Sequence, residues 1–188
     1  MKKCWQPSGI SGMTRKQPMS KKGYSLLSGF LGVLLLTVVD QFTKYLAFTR
    51  LRGQENWILI PGVFELEYVE NRGAAFGILK DSRWIFMAGS ILIFCILIWL
   101  YYKTPLTKKY QPVRILTTFL GAGAVGNMID RVFRGYVIDF FYFSLIDFPV
   151  FNVADIYVVV SILVLVYLFL AVYKEEDFDF LQKRKKKA

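Results

Sequence analysis

The apolar residues of this chain come in blocks rather than in alternation. Positions 24–48, 84–102, 113 to about 128, and 153–173 each form a nearly unbroken hydrophobic run. A helix rises 1.5 Å per residue, so about 20 apolar residues cross the ~30 Å hydrocarbon layer of a bilayer. The pattern predicts an all-α membrane protein with four transmembrane helices, at about 24–48, 84–102, 113–129 and 153–173. The third block is the shortest and is rich in Gly and Thr, small residues that let helices approach closely in lipid. One link has a different period. Trp57 to Ile60, then Pro61-Gly62, then 63–70 reads as strand, turn, strand, with Phe64, Leu66 and Tyr68 on one side and Glu65 and Glu67 on the other. A small antiparallel β-sheet is expected at about 55–70.

Polar residues interrupt the blocks in a regular way. Thr37, Asp40, Gln41 and Lys44 fall at i, i+3, i+4 and i+7, which draws one polar stripe along the first helix. Lipid rejects such a stripe, so it faces other helices. Asp40 precedes Lys44 by four residues, the spacing of a helical ion pair. On the third helix Gly123, Asn127 and Asp130 share a face, and Arg131 follows at once. An Asp130–Arg131 ion pair is one reading; Arg131 receiving a lipid carbonyl or phosphate is the other.

Charge orients the helices. The chain carries 24 Lys and Arg against 14 Asp and Glu, a net charge of +10. Such an excess suggests nucleic acid, but here the charges bracket the apolar blocks instead of lining a groove-sized face. The stretch before Tyr24, the link 103–114 and the stretch after Tyr173 hold 16 basic residues; the links 49–83 and 129–152 hold seven. Positive segments stay in the cytoplasm. Both termini are therefore expected inside, and the sheet and the link 129–152 outside. Residues 1–22 read as a disordered basic cytoplasmic tail, 23–174 as the membrane domain, and 175–188 as a charged cytoplasmic tail. The first block is too long for a cleaved signal peptide, carries Asp40 and Lys44, and lacks a small-residue cleavage site after it.

The chemistry is restricted by what the chain lacks. It has no histidine, and its two cysteines, Cys4 and Cys95, stand far apart in unlike surroundings. His-containing zinc sites, His-based triads and a disulfide framework are excluded. Two acids remain to be explained. Asp139 lies in the aromatic and β-branched run Gly135-Tyr-Val-Ile-Asp-Phe-Phe-Tyr142, and Asp155 opens the fourth apolar block. A carboxylate in such a setting costs several kcal/mol unless it is paired, protonated or used. Two of them suggest a dyad that shares one proton and activates water. A helix cap, with Asn152 at the N-cap and Asp155 three residues on, accounts for Asp155 alone but not for Asp139.

Five motifs occur in order: Val39-Asp-Gln-Phe-Thr-Lys44, Asn71-Arg-Gly-Ala-Ala-Phe-Gly77, Gly126-Asn-Met-Ile-Asp-Arg131, Val137-Ile-Asp-Phe140 and Phe151-Asn-Val-Ala-Asp155. Together they resemble the lipoprotein signal peptidases, bacterial signal peptidase II, over residues 24–173. The resemblance implies an intramembrane aspartyl endopeptidase of the bacterial inner membrane. Such an enzyme removes the signal peptide of a prolipoprotein just before its diacylglyceryl cysteine. It implies Asp139 and Asp155 as the catalytic pair, and Asp40, Asn71, Asn127, Asp130, Arg131 and Asn152 as substrate-binding or supporting residues. It also implies an outer β-cradle, membrane lipids as surroundings, inhibition by globomycin-like compounds, no nucleic-acid partner, and no cofactor or metal.

Two other readings use the same acids. A metal-dependent phospholipid transferase holds divalent ions through oxygen ligands, and a small proton-coupled transporter places acids at the bilayer midplane. Here the acids gather at one end of the helices and no repeat is visible.

Two tests follow from the sequence. In a background lacking Cys4 and Cys95, an impermeant thiol reagent applied from outside should label Gln54→Cys and miss Lys108→Cys; the reverse pattern overturns the orientation. Turnover should survive EDTA; loss of turnover that magnesium restores would favour the transferase.

Overall fold

In the computed structural model, residues 19–73 and 83–181 are described. The first 18 residues with Cys4, the Ala74 to Gly77 part of the second motif, and 182–188 lie outside them. Among the described residues there are four long helices and one small sheet. The helices are α1 (Lys21–Arg50), α2 (Arg83–Lys103), α3 (Gln111–Phe133) and α4 (Val153–Tyr167), which continues as a π-helical turn, Leu168–Val172. By length and composition, Lys21–Arg50 and Val153–Val172 are apolar enough to cross a membrane.

Helix α3 is the centre of the bundle, packing against α1, α2 and α4. Its small residues make this possible. A Cβ on Gly123 would lie 2.6 Å from the Ala154 carbonyl oxygen and 2.7 Å from a Val158 methyl, so α3 and α4 cross backbone to backbone there. A Cβ on Gly126 would overlap the Asp40 carboxylate, which fixes the approach of α1. Pro112 lies in the first turn of α3, where its missing N–H costs nothing. The helix runs on to Phe133, four residues beyond the expected end, so Asp130 and Arg131 are helical.

The polar stripe of α1 faces inward as its spacing predicts. Thr37, Asp40, Lys44 and Ala47 are the buried positions of that helix, while the apolar residues between them are exposed. A soluble protein shows the opposite arrangement; an exposed apolar exterior is that of a chain solvated by lipid.

The sheet has one strand more than the alternation suggested. β1 (Trp57–Ile60) pairs with β2 (Phe64–Asn71), joined by a turn at Gly62 whose φ of +67° suits glycine. The third strand, β3 (Val137–Tyr142), pairs antiparallel with β2 in the order β1-β2-β3. Asp139 sits on it, opposite Val69. Ile138 and Phe140 pack with Ala47 and Leu51 at the end of α1, joined by Leu66 and Tyr68, so the sheet is bolted to the helical bundle.

At the other end of the molecule the chain after α4 folds back. Asp177 accepts from Lys109 Nζ at 2.6 Å, and Phe178 packs with Val113, Leu165 and Tyr173. The expected tail therefore begins as a docked turn, Glu175–Phe178.

Candidate active site

A lysine buried among carboxylates organises the site. Lys44 is fully buried, and its ammonium has three protons to donate. It donates to Asp40 Oδ2 at 2.9 Å, Asp130 Oδ2 at 2.9 Å and Asn127 Oδ1 at 2.8 Å. Asp40 and Asp130 are themselves fully buried. Each carboxylate spends its second oxygen elsewhere. Asp40 Oδ1 accepts from the Ala154 backbone N–H at 2.9 Å, which serves an orphan donor in the first turn of α4. Asp130 Oδ1 accepts from Arg134. Gln41 Nε2 lies within reach of Asp40 Oδ2, Asp130 Oδ1 and the Gly126 carbonyl.

This corrects the expected Asp130–Arg131 pair. Adjacent helical residues point about 100° apart, whereas positions four apart lie one above the other. Asp130 therefore pairs with Arg134 on its own helix and with Lys44 across the α1–α3 interface. Arg131 points instead into a cavity that it shares with Asp139 and Asp155.

Three asparagines carry the network from Lys44 to the two remaining acids. Asn127 turns its oxygen to Lys44, which leaves its amide free to donate to Asp155 Oδ1 at 2.8 Å. Asn152 Nδ2 donates to Asp139 Oδ1 at 2.6 Å and to Asn127 Oδ1 at 3.3 Å. Asn71, at the end of β2, donates to Asp139 Oδ2 at 2.9 Å. Asn152 also caps α4: its oxygen accepts from the Asp155 N–H at 3.0 Å, and Asp155 Oδ2 accepts from the Asn152 N–H at 3.1 Å. The helix-cap reading of these two residues is thus geometrically correct, and it coexists with their place in the network.

All eight candidates from the sequence meet at this junction of helices and sheet. Asp139 and Asp155 line one cavity of about 1160 Å³ with Asn71 and Arg131, while Asp40, Asn127, Asp130 and Asn152 lie behind it. The rest of the lining is largely apolar: Ile156, Val159 and Val160 follow Asp155 along α4, and Phe148 and Ile146 come from the segment before it. Burial pushes the Asp139 carboxyl up from 3.8 to about 7, and the neighbouring Asp155 adds to the shift against the pull of the Asn71 and Asn152 amides. A carboxyl that keeps its proton near neutrality beside a second acid is suited to donate to a substrate oxygen while its neighbour accepts from water. A separate cavity of about 490 Å³ between α1, α2 and α3 is lined by apolar residues and threonines and carries no carboxylate. The sequence placed Gln41 on the inward stripe without making it a site candidate, and it passed over Arg134, which is signalled by its i+4 spacing from Asp130.

Comparison with known proteins gives the family. The family model for Signal peptidase (SPase) II matches residues 32–171. A lipoprotein signal peptidase of Symbiobacterium thermophilum is 44% identical over 131 residues, 69% of this chain and 85% of that protein. One from Streptococcus pyogenes serotype M6 is 35% identical over 148 residues, 79% of this chain and 94% of that protein. A bacterial membrane enzyme solved by the in meso method at 1.9 Å superposes with a TM-score of 0.66 at 29% identity, over 78% of this chain and 94% of the other. The chain belongs to the signal peptidase II family, and is a bacterial membrane protease.

Asp130→Asn should unfold at a lower temperature than the parent protein, because it strands Lys44 and Arg134. Breaking one partner out of a buried pair costs about 3–5 kcal/mol. Thermal unfolding in detergent measures this; an unchanged transition would remove Asp130 from the structural core.

Proposed function

We propose that this protein is an intramembrane aspartyl endopeptidase that cuts prolipoproteins just before the diacylglyceryl cysteine, with Asp139 and Asp155 as its catalytic pair. The observation that carries the reading is the shared cavity in which a proton-retaining Asp139 stands beside Asp155. Asp155 takes a proton from water while the water oxygen bonds to the scissile carbonyl carbon. Asp139 gives its proton to the carbonyl oxygen, forming a neutral tetrahedral diol. When the C–N bond breaks, Asp155 gives that proton to the leaving nitrogen and Asp139 takes one from a diol hydroxyl, so the product carboxyl forms and the pair again holds one proton. Asn71 holds one oxygen of Asp139, and Arg131 supplies a fixed positive charge at the cavity wall for a substrate carbonyl or a lipid ester oxygen.

The rest of the reading follows from the charge distribution and the apolar exterior. The four helices cross the bacterial inner membrane with both termini cytoplasmic, and the sheet lies on the outer surface. Residues 1–22 form a basic cytoplasmic tail, 23–174 the peptidase domain, and 175–188 a charged tail. The apolar wall of Ile156, Val159 and Val160 leads from the acids down α4, a path suited to the acyl chains and the hydrophobic part of a signal peptide. Globomycin-like inhibitors would occupy the same cavity.

Asp139→Asn and Asp155→Asn keep the side-chain shape but lose the titrating proton. With purified protein in detergent and a diacylglyceryl-modified prolipoprotein, each should abolish the signal-peptide-sized gel shift, a loss of at least about 10³-fold in rate, since both proton transfers and water activation depend on the pair. Near-normal cleavage by Asp139→Asn at normal expression would reject the assignment.

The pH dependence has a defined sign. Asp139 holds its proton to about pH 7 in the folded protein and only to about 4 when unfolded. Folded protein therefore binds more protons between these values, and the Asp139 contribution to stability falls as pH rises through that window. Activity should fall as pH rises past about 7, when the shared proton is lost. Asp139→Asn should flatten the stability slope between pH 4 and 7, measured by thermal unfolding across that range.

A further inference from the structure

The end of the molecule far from the acids carries a second groove of about 780 Å³, between α1 and α3. It has two parts. Its mouth is lined by Lys21, Gln111 and Arg114; its deeper part by Leu36, Ile115 and Phe119. From Lys21 to Leu36 the helix rises about 22 Å. That equals one leaflet, half of the ~40–45 Å bilayer thickness including headgroups. A basic mouth at one end of a furrow that runs past Ser25, Ser28 and Thr118 to Leu35, Leu36 and Phe119 fits a single phospholipid.

Of the charges at the mouth Arg114 is held in place, and neither it nor Lys21 has an acid in its own segment. Arg114 donates from one nitrogen to the Pro105 carbonyl, which fixes the guanidinium and leaves further N–H groups for a second ligand. Lys22 is engaged differently, with Nζ 3.6 Å over the Tyr102 ring, so Lys21 is the lysine at the groove. The chain from Lys21 to Val39 and the link 103–114 contain no Asp or Glu. The acids at this end of the molecule, Glu175, Glu176, Asp177 and Asp179, follow α4, and Asp177 is tied to Lys109.

We propose that the α1–α3 groove binds one anionic phospholipid, its headgroup phosphate on Lys21, Gln111 and Arg114 and one acyl chain along Leu36, Ile115 and Phe119. The site is separate from the acid cavity and does not depend on the peptidase reading. A structural lipid there would lie along the seam of the two helices, which meet closely at Gly32 and Thr118 and farther along hold Lys44 against Asp130.

Native mass spectrometry of the full chain in detergent tests this, with phosphatidylglycerol, phosphatidylcholine and inorganic phosphate as probes. One phosphatidylglycerol should be retained in preference to phosphatidylcholine. Lys21→Gln and Arg114→Gln should each weaken retention about fivefold, the effect of one basic residue at an anionic lipid surface. Ile115→Trp, which fills the furrow and leaves the charges alone, should also weaken it. Arg114→Gln additionally loses the Pro105 contact, so Lys21→Gln and Ile115→Trp decide if that variant folds poorly. Equal retention of the two lipids, displacement of phosphatidylglycerol by inorganic phosphate, or retention unchanged in both Lys21→Gln and Ile115→Trp would overturn the proposal.

Discussion

The ammonium of Lys44 is the interaction on which the remaining structure depends. An isolated lysine at 0% exposure is untenable in a bundle of this kind, and so are Asp40 and Asp130. Together they are tolerable because every proton of the ammonium finds an acceptor at 2.8–2.9 Å. Those acceptors come from two helices, and Asp40 also caps a third through the Ala154 N–H. One cation thus holds α1, α3 and α4 at a common point. The glycines at 123 and 126 are the steric condition for it, since side chains there would push the helices apart before the polar groups could meet.

From that point the amides transmit order outward. Lys44 turns the Asn127 oxygen toward itself, and this decides that the Asn127 nitrogen faces Asp155. Asn152 then links Asn127 to Asp139. Charge also balances across the cluster. Four carboxyl groups, at 40, 130, 139 and 155, face three cations, Lys44, Arg131 and Arg134. One proton kept on the dyad makes the whole group neutral, the state of lowest cost in a poorly solvated place. The upward shift of Asp139 comes first from burial and then from the neighbouring Asp155.

Much of this was legible in the sequence because helices obey a short-range rule. The blocks located four helices to within a few residues, except at the end of α3. The i, i+4 spacing predicted the Asp40–Lys44 pair. What escaped was long-range or two-sided. β3 was invisible as a strand because Val137, Ile138, Asp139 and Phe140 are all buried, so no polar alternation marks it. Its partner strand lies about 70 residues earlier in the chain, beyond the reach of any local pattern. The Asp130–Arg131 expectation failed through sequence adjacency, which on a helix separates side chains rather than joining them.

The helix cap at Asp155 and its place at the acid cavity are parts of one arrangement. The capping box occupies Oδ2 with the Asn152 N–H and fixes the side chain at the head of α4. Oδ1 receives the Asn127 amide. Each oxygen keeps a second lone pair, and the carboxyl cannot rotate away without giving up both donors. Asp139 has no such helix end; it sits on a strand between two neutral amides. The cap that stabilises α4 therefore also holds the Asp155 carboxyl at the cavity it shares with Asp139, so two unrelated elements, a helix start and a strand, bring the two acids to one place.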